Sequence, residues 1–237
     1  MNSPLDEIRG ELREKADPGK AAILARFFKT GKGEYGEGDI FLGIVVPEQR
    51  KIAKRYPELT LKHIKTLLSE KIHEHRLVAL FILVSKYKKS SSSGKKEIFD
   101  FYLKQTRHIN NWDLVDLSAP NIVGDYLLRG DRSVLYELAK SENLWKRRIA
   151  VLATFAFIKN DEFDDAFSIA ELLIGDKHDL IHKAVGWMLR EAGKRDRGAE
   201  ENFLKKHYRV MPRTMLRYAI EKFSEEERKS YLRKTRA

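Results

Sequence analysis

Along most of the chain, apolar residues return every three or four positions, and the breaks between them are short and polar, without the paired turn signals that separate strands. This pattern predicts an all-α protein. Helices are expected over residues 4–16, 19–30, 47–56, 60–69, 73–88, 95–108, 112–128, 131–140, 144–159, 161–174, 178–194, 198–208, 212–222 and 224–234. Two stretches depart from the pattern. Residues 90–94, SSSSG between lysines, read as a flexible interhelical loop. Residues 31–39, GKGEYGEGD, set glycines around Tyr35 and read as a short β-hairpin or a Gly-rich loop near residues 31–40. Nucleotide binding is not expected there, because Lys32 is not followed by Ser or Thr and no strand precedes it.

The helices also repeat. HRLVAL from His75, RRIAVL from Arg147, HKAVGW from His182 and LRYAI from Leu216 each carry a basic residue at the second position and turn apolar at once. Arg76, Arg148, Lys183 and Arg217 stand 72, 35 and 34 residues apart, so one unit, near Trp112, lacks the match. A period of about 35 built from two helices is close to the HEAT and armadillo class. The expected architecture is therefore an α-α superhelix, a solenoid of HEAT-like repeats forming a single domain over residues 1–237, with one basic residue per repeat on its concave face. The plainer reading is chance in a chain rich in Lys and Arg. Against it, a helix N-terminus disfavours a cation, and the repeated placement points to an anion lying across that face.

Charge sharpens this. Of 237 residues, 46 are Lys or Arg and 35 Asp or Glu, a net +11, which favours a polyanionic partner and nucleic acid first. The chain has no cysteine, which excludes disulfides, thiolate-ligated metals and a thiol nucleophile. The start lacks a secretory signal, and the longest apolar run, Leu77 to Val84, is too short to span a bilayer, so a cytoplasmic, nucleoid-associated protein with no membrane partner is expected. His178 and His182 share a helical face without a third ligand and read as solvated or capping residues; His73 and His75 read the same way, and no metal is expected.

The segment NNWDLVDLS from Asn110 carries more chemistry. Asn111 is a natural N-cap, placing Trp112, Asp113 and Asp116 in the first turns of a helix, with Trp112 and Asp116 on one face. Acids that complement a helix dipole beside a core tryptophan would give the same pattern. The repeat register, however, sets Trp112 about where other repeats carry a cation, and a carboxylate on a cationic groove repels phosphate.

FLGI from Phe41, WDLVD from Trp112, LWKRR from Leu144 and KAVGWMLRE from Lys183 closely resemble the AlkD family of bacterial DNA alkylation-repair glycosylases, in order over about residues 20–222. The resemblance implies a HEAT-like superhelix holding duplex DNA with alkylated purines. It implies a catalytic carboxylate at Asp116, lesion-flanking tryptophans at Trp112 and Trp187, a backbone-binding arginine at Arg148 and a further basic position at Arg190. Arg76 and Lys183 join these as expected DNA contacts through the repeat. By the same resemblance the activity is monofunctional hydrolysis of the N-glycosidic bond of N3- or N7-alkylated purines, without metal or cofactor, by a monomer. One departure is the Gly-rich segment, which looks longer than its counterpart in active members; Tyr35 and Lys32 are expected to touch DNA there. A non-catalytic binder of branched or structured DNA is the alternative on the same scaffold, and a protein-binding scaffold a third. The basic tail, Arg228, Lys229, Arg233, Lys234 and Arg236, reads as a solvated end.

Overall fold

A computed structural model describes residues 3–234. The helices start where capping chemistry permits. Ser3, Asp17, Thr60, Ser91, Asn111, Asn143, His178 and Asp196 each accept a first-turn backbone N–H, satisfying donors that have no partner inside the helix.

The chain divides into two compact units, residues 1–118 and 119–237. The first contains α1 (Pro4–Glu14), α2 (Pro18–Phe27), α3 (Val46–Lys54), α4 (Leu61–Leu68), α5 (His73–Lys89), α6 (Ser92–Lys104) and α7 (Trp112–Asp116). Its axis is α5, packed by α1, α3, α4, α6 and α7. Residues 77–83 of α5 are apolar on every side and all buried, the pattern of a helix enclosed by neighbours, and each of the large ones contributes roughly 1.5–3 kcal/mol by leaving water.

The second unit contains α8 (Asp125–Leu127), α9 (Ser133–Ala139), α10 (Leu144–Ile158), α11 (Asp164–Leu173), α12 (Asp179–Gly193), α13 (Arg197–His207), α14 (Arg213–Ala219) and α15 (Glu225–Lys234). Here α10 is the enclosed helix, flanked by α9, α11 and α12, and α12 in turn packs on α13 and α14. The α12–α14 contact is close because residue 186 is glycine: a Cβ there would lie 2.4 Å from the Met215 carbonyl oxygen.

The all-α expectation holds, with local differences. A single helix over 112–128 was expected, but α7 stops at Asp116 and a π turn, Pro120–Gly124, leads into α8. Pro120 has no N–H to donate and its ring crowds the preceding turn, so the regular ladder lapses at the passage between the two units. The serine run is not a loop throughout: Ser91 caps α6, and Ser92, Ser93 and Gly94 form its first turn. Of the two forms expected for residues 31–40, the loop is what forms. Gly31 and Gly33 donate to the Glu34 and Glu37 carboxylates, and Gly36 donates to the Lys29 carbonyl. A Cβ on Gly36 would sit 2.4 Å from the Phe28 carbonyl oxygen. The only β pairing among the described residues is a single bridge, Ile40 to Ile72.

Candidate functional site

In the first unit the chemistry gathers around α7. Asn111 caps the helix by accepting the Trp112 N–H at 2.8 Å, and its own amide donates to Asp39 at 3.0 Å. Asp113 accepts the Leu114 N–H with one oxygen and meets His73 Nε2 at 2.8 Å with the other. His73 Nδ1 faces Asp39 at 3.2 Å, and Arg76 pairs with Asp39 at 2.6 Å while also donating to Asn110. His73, Arg76, Asp39 and Asp113 are all buried at the side chain. Burial disfavours charge on His73, but the Asp113 and Asp39 carboxylates outweigh it and raise its pKa above the usual value. Burial likewise opposes ionisation of Asp39, and His73, Arg76 and Asn111 together hold its carboxyl below the usual range. The result is a buried cluster in which acidic and basic side chains alternate under the start of α7.

The far end of α7 is also held. Ser118 donates to the Leu114 carbonyl, and the Tyr102 hydroxyl meets Ser118 at 2.8 Å. Burial drives the Tyr102 phenol pKa upward, with the Asp116 charge adding to the rise. Trp112 and Asp116, both half-buried, are the residues α7 leaves in part to solvent. Trp112 stacks on Phe28 at 4.9 Å with the rings 5° from parallel, and Phe27, 63% exposed, meets its edge at 5.8 Å.

The loop before α3 is anchored to the same region. Glu74, with no exposed surface, accepts the N–H groups of Leu42 at 2.9 Å, Gly43 at 2.8 Å and Ile44 at 3.2 Å. Gly43 adopts φ +87°, and a Cβ there would lie 2.2 Å from the Asp17 carbonyl oxygen, so the FLGI sequence needs its glycine twice over.

In the second unit Trp187 is half-buried on α12, donating Nε1–H to Glu191 at 3.0 Å with Phe155 6.1 Å away. Glu191 also receives Arg190 and Lys194, and Arg190 reaches on to Glu221. Arg148 is 5% exposed and donates to the Leu180 carbonyl in the first turn of α12. Lys183 pairs with Asp179 one turn earlier at 2.7 Å, both being solvent-accessible. A cleft of about 520 Å³ brings Lys183 together with Arg217, Arg228 and Thr214. Neither Arg217 nor Arg228 has an ion-pair partner among the described residues, whereas Lys229 pairs with Glu225. Arg228 therefore belongs to this cleft, which Asp179 and Glu221 also line, as well as to the tail; the Lys234 side chain and Arg236 lie outside the described residues.

The repeat register is visible in the helices. Arg148, Lys183 and Arg217 are each the fifth residue of their helix, Arg76 is the fourth of α5, and the fifth residue of α7 is Asp116. The cations at these positions do not all await an external anion: Arg76, Arg148 and Lys183 have partners within their own unit. Lys32 is exposed and Tyr35 half-buried, its hydroxyl 3.5 Å from the Phe27 carbonyl oxygen. His178 caps α12, as a capping reading requires, but His73 and His75 are buried against carboxylates rather than solvated. Sequence reasoning missed Asp39, Phe28, His73 and Asp113 as a unit; their only signal was the density of polar residues in HEHR and NNWD beside the aromatic pair at 27–28. No group of His, Cys, Asp and Glu able to hold a metal occurs among the described residues. No helix among them is long and apolar enough to cross a membrane.

A family model described as DNA alkylation repair enzyme matches residues 8–223. A solved structure described as a predicted DNA alkylation repair enzyme from Enterococcus faecalis superposes with a TM-score of 0.70 at 19% identity, over 89% of this chain and 98% of that one. AlkD2 from Streptococcus mutans gives 0.54 at 20% identity, over 87% and 98%. The smu.31 protein of Streptococcus mutans UA159 gives 0.51 at 19%, over 84% and 96%. No curated protein matches the sequence. At these identities the structural likeness concerns the fold alone.

Proposed function

The chain belongs to the DNA alkylation repair enzyme family, and on that premise we propose that it is a metal-independent DNA glycosylase hydrolysing the N-glycosidic bond of cationic N3- or N7-alkylated purines in duplex DNA. The observation that carries this reading is the Trp112–Asp116 pair. A short helix held at both ends presents a stacked indole and, one turn on, a carboxylate at the register where other helices carry a cation.

An alkylated purine already bears positive charge, so the bond from C1′ to the base breaks with its electron pair leaving on the base, which departs neutral. Little proton donation is needed. The sugar becomes oxocarbenium-like, and a nearby carboxylate stabilises that cation. Asp116 supplies the charge, and water then attacks C1′ and gives up a proton, leaving an abasic site. Trp112 and Trp187 offer indole faces to the cationic nucleotide and its sugar.

Backbone phosphates fall to the basic residues. In the second unit Arg217 and Arg228 supply cations from the cleft, and Lys183 and Arg190 act from their pairs with Asp179 and with Glu191 and Glu221; in the first, Lys32 supplies a cation beside Tyr35. Arg148 and Arg76 act with their charge already engaged, Arg148 at the start of α12 and Arg76 beneath α7. A net charge of +11 supports duplex DNA as the partner, and the protein is read as a monomeric single domain in the repair of alkylated DNA.

The test is release of free N7-methylguanine and N3-methyladenine from methylated duplex DNA by the purified protein with EDTA throughout, scored together with the abasic sites produced. Equal yields of base and abasic site are expected. Binding without release would assign the chain to recognition of structured DNA instead.

A further inference from the structure

The four aromatic rings at the start of α7 form one contiguous cluster. Trp112 lies on Phe28 at 4.9 Å and 5°, while Phe28, Phe41 and His73 touch one another, Phe28–Phe41 at 4.9 Å, Phe41–His73 at 4.5 Å and Phe28–His73 at 5.1 Å. His73 then returns to the helix that carries the indole, through Nε2 on Asp113, the residue next to Trp112. A closed circuit results: indole, two phenyl rings, imidazole, carboxylate, helix, indole. Its second imidazole nitrogen is fixed by Asp39, which also receives the Asn111 cap and Arg76.

We propose that His73 is a positioning residue for the Trp112–Asp116 pair, acting as the joint at which the aromatic cluster and the buried acidic side chains are locked together. No other described side chain joins both. Phe28 and Phe41 have no polar atom to fix their rotation, so without the imidazole they support the indole but do not set its height or pitch. Without the imidazole, Asp39 is left with Arg76 and Asn111, and Asp113 with the Leu114 N–H. His73 touches no reacting atom; it determines where Trp112 and Asp116 point. Near-attack geometry is sensitive to displacements of about 1 Å, so a residue two shells away from the chemistry governs the rate without governing affinity. This inference rests on the glycosylase reading for its kinetic consequence, but its geometric content does not.

The experiment uses the full chain with His73→Phe, which keeps a flat ring in the cluster and removes both polar contacts, and His73→Gln, which keeps an amide able to donate to Asp113. Single-turnover release of N7-methylguanine at saturating enzyme, Kd for undamaged duplex and thermal midpoint are measured in parallel. In a Trp145→Phe, Trp187→Phe background, the near-UV circular dichroism and acrylamide quenching of Trp112 report its setting directly. His73→Phe is expected to slow release by at least about tenfold, with Kd changed by less than about threefold, and to raise quenching of Trp112. His73→Gln is expected to recover part of both. Unchanged Trp112 signals in both folded variants would overturn the proposal, as would a rate that falls only in proportion to lost folded protein. If His73→Phe does not fold, His73→Gln alone decides by the same signals. If the wild-type chain releases no base, the glycosylase reading fails, while the Trp112 signals still accept or reject the positioning role.

Discussion

Replacing Glu74 by alanine removes the single acceptor of three backbone N–H groups. Its carboxylate binds Leu42, Gly43 and Ile44 at 2.8–3.2 Å, and the side chain is wholly buried, so water does not reach the donors when it is gone. Each orphaned buried donor costs about 1–3 kcal/mol. Three donors span about 3–9 kcal/mol, and partial relaxation of the loop brings the expected loss to roughly 4 kcal/mol, near the lower end. At about 2–4 °C per kcal/mol for a chain of this size, the thermal midpoint falls by about 8–16 °C. Calorimetry at neutral pH, with urea unfolding as a second measure, reads this directly. A companion Gly43→Ala variant meets the same loop from the other side, through a positive φ and the Asp17 carbonyl, and is expected to fall by a similar amount. A midpoint within about 3 °C of wild type for Glu74→Ala would refute the claim that this carboxylate fixes the loop.

Other consequences are independent of that anchor. Burial pushes the Glu200 carboxyl up to about 8, against the opposing pull of Arg197. The folded state therefore keeps a proton that the unfolded state has released above about pH 4.5, so this residue's contribution is fully present below that value and is lost as pH rises through about 8. Glu200→Gln is expected to be more stable than wild type by roughly 3–5 kcal/mol at pH 9 and near equal at pH 4, by urea unfolding at the two values. Gly186→Ala forces a methyl against the Met215 carbonyl and is expected to destabilise by about 2–4 kcal/mol, with α12 and α14 moved apart, seen as faster amide exchange in α14. Affinity for duplex DNA should fall by about a thousandfold between roughly 50 and 200 mM salt, and Arg217→Ala with Arg228→Ala should flatten that slope. Lys32→Ala with Tyr35→Ala should weaken DNA binding by about three- to tenfold at low salt, and no change would remove the Gly-rich loop from the interface.

What the sequence reveals and what it hides follow from how local each signal is. The enclosed helices α5 and α10 are legible because their apolar runs are long, with Asn143 as a cap beside α10, and both begin and end within a residue of expectation. The break after Asp116 is announced by Pro120, yet the apolar period continues through it, and periodicity alone joins α7 to α8. The serines at 91–93 look like linker until Ser91 is seen to cap, since the same hydroxyl that favours a loop also starts a helix. The basic residues at helix starts show the register correctly, but not the acids and carbonyls that face them: Asp39 is 37 residues from Arg76, and Leu180 is 32 from Arg148. Trp112 and Asp116 are visible in sequence because they fall in one short motif. The aromatic cluster and the His73 clamp within it are assembled from four separate segments, and no spacing rule in a single sequence connects those.

The account stands or falls on Asp116. Single-turnover release of N7-methylguanine from duplex DNA by wild type and Asp116→Asn, with Kd for the same duplex and the thermal midpoint measured alongside, tests it most directly. Release by wild type and a fall of at least about a hundredfold in the variant, beyond any change in affinity or folded fraction, are expected, because an amide of the same shape removes the charge. Equal release by both proteins would contradict it.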